Sequence, residues 1–318
     1  MTCYALVGAG AADRYADALL RLPDVCVAAV VDPDAGGRGA AARRLGAGLQ
    51  AASLPELLAG HSDCCSGVLV HGAAAARLDD AAEAVRHGKH VLLELPPAAD
   101  AARLQALGEQ CAAADVCLMV GGTLRFLPSQ QVLKQRLDSG KLGELGLLRA
   151  HRWHAAAGGV TGSVPDWQDL AAPYLDLANW LFDDRPERVY ARAAGSDYVQ
   201  IHLGFRAGGM ALIDVSAGLP PGDGYQSVSV IGSTGAGYAD DHHNRALLFA
   251  GGNPAARDPG EGNHDLAGEL AEFAAAAAAG RAAQVTGADA HAALQVAAAA
   301  AASAASGDVA VRREDRYE

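Results

Sequence analysis

Leu6-Val7-Gly8-Ala9-Gly10, followed by Val25-Cys26-Val27-Ala28-Ala29-Val30-Val31-Asp32, is the stretch that decides the fold. A short apolar run stops at a glycine pair, an Ala- and Arg-rich helical pattern spans 14–22, and a second apolar run stops at an aspartate. Strand, tight glycine turn, helix and strand in that order make one βαβ unit, and apolar runs without alternation belong to a parallel sheet buried on both faces.

Outward from this unit the rhythm continues to about residue 121. Val68–Val70, His90–Leu93 and Val116–Val120 read as further buried strands, and residues 35–45, 76–87 and 100–114 read as helices, two of which stop near Gly46 and Gly88. Beyond Gly121 a helix is expected from Pro128 to Asp138. Strand-like stretches then follow at Leu147–Trp153, Arg188–Ala193, Tyr198–Phe205, Met210–Val215 and Ser227–Ile231, interrupted by one helix near 173–182. Helices at about 263–280 and 287–305 close the chain. The fold class is therefore an α/β, Rossmann-type N-terminal domain over residues 1–121, then an α+β domain with a mainly antiparallel sheet over 122–318.

The glycine turn has a chemical reading. Gly8 and Gly10 let backbone N–H groups approach a pyrophosphate at the helix N-terminus, with Ala12 in its first turn. Asp32, about 20 residues further on, is placed to accept hydrogen bonds from a ribose and to repel a 2′-phosphate, which favours NAD over NADP. The third glycine of the usual fingerprint is Asp13 here. The alternative is a turn whose glycines serve geometry alone, with Asp13 as helix N-cap and no cofactor.

Composition sets limits. Of 318 residues 51% are hydrophobic, and only 5% are aromatic, so alanine-rich helices should pack closely in two domains. A net charge of −12 repels nucleic acid and anionic membrane surfaces and leaves small molecules as ligands. Cys3, Cys26, Cys64, Cys65, Cys111 and Cys117 lack CxxC spacing and read as buried thiols. Met1–Val7 has no basic leader, no segment is apolar enough to span a bilayer, and a cytoplasmic location is the expectation.

Further segments fix a resemblance. Leu22-Pro23-Asp24-Val25 with Val31-Asp32-Pro33, Gly88-Lys89-His90-Val91-Leu92-Leu93-Glu94, Arg125-Phe126-Leu127-Pro128 and Asp138-Ser139-Gly140-Lys141-Leu142-Gly143 join the glycine turn in order and spacing. With them the chain resembles the Gfo/Idh/MocA oxidoreductases. The resemblance implies a nicotinamide cofactor held near Val70, His71, Glu94 and Pro96, a sugar- or polyol-like substrate, and a homo-oligomer that uses the second domain's sheet. It also exposes departures. The family's Glu-Lys-Pro is Glu94-Leu95-Pro96, so its lysine is Leu95, and the acid/base histidine of its second-domain helix is Pro173, leaving Asp176 of that pair. After the fourth strand the chain has His71-Gly72-Ala73-Ala74 and Arg77 in place of a Thr-Pro-Pro-like turn.

Neither leucine nor proline can accept a hydroxyl proton, and each such group contributes about 100- to 10,000-fold to a rate. Asp176, Tyr174 and Arg125 are the remaining catalytic candidates. Pro173 reads as a helix start, which puts Asp176 in the first turn and Asp169 before it. Arg125 is either a substrate clamp or a structural ion pair between domains. His71 at the end of its strand is a candidate for the nicotinamide side. His151 and His154 alternate to opposite faces, and Asp240, Asp241, His242, His243 and Asn244 read as a solvated loop, so no metal is expected. Two readings follow: an NAD-dependent oxidoreductase with an altered proton-transfer site, and a catalytically silent ligand-binding relative that partners an active one.

Overall fold

The computed structural model describes residues 1–95, 100–122, 124–155, 167–195, 197–219, 225–240, 245–249, 255–257, 264–314 and 316–318. The first part of the chain alternates β1 (Thr2–Val7), α1 (Ala12–Leu19), β2 (Val25–Val31), α2 (Ala35–Leu45), β3 (Leu49–Ala51), α3 (Leu54–His61), β4 (Gly67–Val70), α4 (Arg77–Arg86), β5 (His90–Glu94), α5 (Ala101–Ala113) and β6 (Leu118–Gly121). Its six strands are parallel in the order β3-β2-β1-β4-β5-β6. The order reverses between β1 and β4, and open α/β sheets take ligands outside the carboxyl ends of the strands at such a point.

The helices start and stop where local chemistry dictates. Asp34 caps α2 by accepting hydrogen bonds from Gly36 and Gly37, and Gly46 ends it in the left-handed conformation. The sequence reading passed over β3 and α3. Yet α3 carries a capping box: Ser53 accepts from the Glu56 N–H while the Glu56 carboxylate accepts from Ala52 N–H.

The later part comprises α6 (Pro128–Asp138), β7 (Leu145–Ala155), α7 (Trp167–Phe182), β8 (Arg188–Ala194), β9 (Tyr198–Gly204), β10 (Met210–Leu219), β11 (Tyr225–Gly232), β12 (Ala236–Asp240), β13 (Arg245–Phe249), β14 (Ala255–Arg257), α8 (His264–Ala279), α9 (Gly287–Ser306), β15 (Ala310–Arg313) and β16 (Arg316–Tyr317). Its strands form one sheet in the order β14-β13-β12-β11-β7-β10-β9-β8-β15-β16, antiparallel except for β10 against β7. One face is core: Leu148, Ala150, Val199, Ile201, Ala211, Ile213, Val228 and Val230 are buried, as are Ala171, Leu175 and Ala178 of α7. The alternate positions, such as Arg149, Trp153, Tyr198 and Met210, form the exposed face.

Two compact units result, Met1–Gly122 with Asn263–His291, and Thr123–Gly262 with Ala292–Glu318. The division at 121/122 expected from sequence therefore differs over 263–291. The reason is α8, which buries Leu266, Leu270 and Phe273, sets the Phe273 ring 5.2 Å from that of Tyr4, and holds Glu269 against the Gly122 N–H at 3.0 Å.

Two further readings are corrected. Helix α7 starts at Trp167, so Pro173 sits inside it and Asp169 lies in its first turn. An interior proline costs about 3 kcal/mol, and burial of Trp167, Ala171 and Ala172 ahead of it offsets that cost. Cys3 and Cys26, partners in the β1–β2 register, form a disulfide, while Cys64, Cys65, Cys111 and Cys117 are free thiols. Thiol titration of unreduced protein in denaturant should accordingly find four reactive thiols. Six would refute the bond.

Candidate functional site

In the first unit, β1 delivers Gly8 to a position where a side chain is excluded. Its φ is +101°, and a Cβ there would lie 2.7 Å from the backbone of His71 and Gly72. Gly10, by contrast, faces open space. The 3-10 turn Ala9–Ala11 and helix α1 that follow have no side-chain N-cap of their own and Ala12 is buried beneath them; Ala9 N–H is taken by the Asp32 carboxylate and Ala11 N–H by the Gly8 carbonyl. Asp13 is not the N-cap. It is exposed in the first turn of α1, and its carboxylate pairs with Arg44 at 3.1 Å, so its charge is met by α2.

Asp32 braces the turn from the end of β2. Its carboxylate accepts from Ala9 N–H at 2.8 Å and from Asp34 N–H at 2.9 Å, tying the glycine turn to the end of β2. Arg38 donates to the Asp32 carbonyl at 2.5 Å. The open space at Gly10, the uncapped helix and the carboxylate of Asp32 together fit a dinucleotide: N–H groups for the phosphates, an acceptor for the ribose.

At the other side of the switch point, Val70 is buried and His71 follows it. The His71 imidazole places Nδ1 2.8 Å from Glu94 Oε2 at the end of β5. Burial raises the Glu94 carboxyl, but the hydrogen bond and charge of His71, with Arg77 and Arg14, outweigh it and hold the group below its ordinary range. Arg77 is anchored by donating to the Gly72 and Leu95 carbonyls at 3.0 and 2.9 Å. Tyr15 sets its ring edge-on to His71 at 5.1 Å. Its phenol is pushed well above its usual range by burial and by Glu269 and Glu94. Pro96 lies outside the described residues. The sequence reading missed Tyr15 and Glu269: Tyr15 resembles any inward residue of an amphipathic helix, and Glu269 arrives from a segment far along the chain.

In the second unit, Arg125 and Asp176 meet as a buried bidentate ion pair, Nε to Oδ2 at 2.8 Å and Nη2 to Oδ1 at 2.5 Å. Both residues belong to this unit, so the pair does not bridge domains. Nor does Asp176 sit in a first turn: it is fully buried in the interior of α7, on the face that carries Pro173 one turn earlier. The Trp180 ring lies 5.9 Å from the Arg125 guanidinium, and the Arg125 carbonyl accepts from Gln131. Tyr174, also buried, donates to Gln226 Oε1 at 3.2 Å. On the exposed sheet face His151 Nδ1 lies 2.6 Å from Asp214, which also accepts from Trp153 Nε1 at 2.8 Å. The side chains of His154 and Asp240, and residues 241–244, lie outside the described set. Among the described residues no cluster of three or more potential metal ligands occurs.

Two predictions follow from these pairs. Arg125→Met or Asp176→Asn alone should each destabilise by about 3–5 kcal/mol, whereas Arg125→Met with Asp176→Leu should recover most of the loss. Chemical denaturation reads both, and single variants of unchanged stability would discount the pair. For Glu94, whose folded pKa lies below its ordinary 4.5, the contribution to stability is present above that value and fades as pH falls through the folded pKa. Glu94→Gln should therefore be destabilising at neutral pH and nearly neutral in strong acid, as measured by melts across that range.

Comparison with known proteins gives the same architecture. Residues 3–122 match the GFO_IDH_MocA model, an oxidoreductase family with an NAD-binding Rossmann fold, and residues 130–237 match the GFO/IDH/MocA C-terminal domain. An inositol 2-dehydrogenase of Rhizobium meliloti (strain 1021) is 28% identical over 237 residues, 67% of this chain and 70% of that protein. The fold is shared with a putative myo-inositol dehydrogenase from Sinorhizobium meliloti 1021 (TM-score 0.83, 24% identity, 98% and 99% of the two chains). It is shared as well with an oxidoreductase from Agrobacterium radiobacter solved with NAD+, L-tartaric acid and magnesium (TM-score 0.84, 19% identity, 98% of each chain). With both halves of the chain matched in order, the protein belongs to the Gfo/Idh/MocA family of oxidoreductases.

Proposed function

We propose that this chain is an NAD-dependent oxidoreductase acting on a polyol, a sugar or a related small hydroxylated molecule, with a proton-transfer site altered from that of its family. The observation that carries this reading is the open glycine turn over the uncapped α1 N-terminus, braced by Asp32. A bound nicotinamide dinucleotide would supply the hydride acceptor. The chain's own part is to seat the phosphates in the open space at Gly10 by the α1 N-terminus, to engage the ribose through Asp32, and to present His71 and Glu94 beyond the switch point. The Asp32 carboxylate disfavours a 2′-phosphate, which favours NAD over NADP. The inositol 2-dehydrogenase relative supports a hydroxylated substrate.

A second reading is favoured by a specific observation. Leu95 and Pro173 carry no proton, and the Arg125–Asp176 pair is satisfied internally. Those features suit a silent relative that binds ligand beside an active partner. In either case the exposed sheet face, with Trp153, Tyr198, Met210, Ile231 and Tyr238 outward, suits a homo-oligomer. No described helix is long and apolar enough to cross a membrane.

Calorimetry of cofactor-stripped protein tests the reading. NADH should bind more tightly than NADPH, and Asp32→Ala should weaken NADH binding about tenfold or more, the cost of a charged hydrogen bond. Absence of binding by any dinucleotide would overturn the oxidoreductase reading.

A further inference from the structure

Where the family has its lysine and histidine, this chain has Leu95 and Pro173, and the second-unit candidates Asp176 and Tyr174 are engaged, with Arg125 and Gln226 respectively. A carbinol cannot be oxidised at a useful rate unless its hydroxyl proton has somewhere to go. Among the described residues of the first unit, one group of neutral-pH base chemistry at the ligand end of the sheet is an imidazole.

That group is His71. It is the residue after β4, on the side of the switch point away from Asp32, so a dinucleotide whose ribose meets Asp32 would extend its other end across β4 and β5. Its Nδ1 faces Glu94 Oε2 at 2.8 Å. A proton on Nδ1, facing this carboxylate, would leave the Nε2 lone pair as the basic site. No described hydrogen bond reaches Nε2, and the His71 side chain is 6% exposed at the end of β4. The ring is held edge-on by Tyr15. Charged and titratable groups surround the pair from every packed element: Glu94 on β5, Tyr15 and Arg14 on α1, Arg77 on α4 and Glu269 on α8. A carboxylate that orients an imidazole and stabilises its protonated form is the arrangement used by general bases on unrelated folds.

We propose that His71, oriented by Glu94, is the proton acceptor of this enzyme and stands in for the missing lysine and histidine. The proposal rests on the oxidoreductase reading above. In the oxidative direction the carbinol C–H electron pair leaves as hydride to the oxidised nicotinamide. The hydroxyl proton passes to His71 Nε2, and a carbon–oxygen double bond remains. Glu94 keeps its charge throughout and is a positioning residue, while His71 is catalytic.

The test uses the full-length chain labelled with ¹⁵N in its histidines, with His71→Asn identifying the His71 signals. Long-range ¹H–¹⁵N spectra should show Nδ1 protonated and Nε2 bare, the signals should move when NADH is added, and Glu94→Gln should abolish the single tautomer. With NAD and a panel of polyols and sugars, His71→Asn should lower kcat about 100- to 10,000-fold, a far larger loss than any change in NADH affinity read by calorimetry. Nε2 found protonated, His71 signals indifferent to NADH, or full turnover by His71→Asn would each overturn the proposal. If no compound of the panel is turned over, the spectra alone decide. Wild-type protein that binds no dinucleotide would remove the oxidoreductase reading itself. A wild type that binds NADH with His71 in the other tautomer would remove only this inference.

Discussion

The close approach of two backbones at Gly8 governs the first unit. There the chain leaving β1 passes against the chain leaving β4, and a single added carbon would drive into His71 and Gly72. Several features depend on that contact. It permits the tight turn that starts α1, and Asp32 holds the turn in place through Ala9. It also fixes the first residues after β4, so the same missing side chain that makes room for phosphates sets the backbone from which His71 reaches Glu94. The two ends of the proposed cofactor track are thus tied to one steric constraint.

The second unit has a different kind of anchor. Arg125 and Asp176 are both removed from water, and the desolvation they suffer is balanced only because the guanidinium fork and the carboxylate match twice over. Such a pair is poor at meeting a third party. In this chain the aspartate that survives from the family's pair is therefore turned to internal order.

Much of the architecture was legible in the sequence because buried parallel strands and half-buried antiparallel ones leave different patterns. Val25–Val31 is apolar without interruption, whereas β9 alternates buried Val199, Ile201 and Leu203 with more exposed neighbours. The glycine turn and Asp32 were legible for the same local reason. What was hidden is non-local. Proline at 173 suggested a helix start because its rule is local, yet tertiary burial of Trp167 overrode it. Whether Arg125 pairs within or between domains, and that Cys3 and Cys26 lie side by side, depend on neighbours distant in sequence. Glu94 was identified through family resemblance, but its partner His71 was visible only as a strand-end residue. The capping box at Ser53 and Glu56 was readable and was passed over.

The position of α8 bears on how the protein can be taken apart. The chain enters the second unit at Thr123, returns to the first for Asn263–His291, and leaves it again within α9. A fragment ending at Gly122 would have every strand of the parallel sheet but would leave bare the apolar surface of Tyr4 that Phe273 covers. Its Gly122 N–H would also lose the Glu269 carboxylate. The nucleotide-binding half is thus not a portable N-terminal module: gene fusions, domain exchanges or limited proteolysis that respect only the first boundary would leave it without one of its walls.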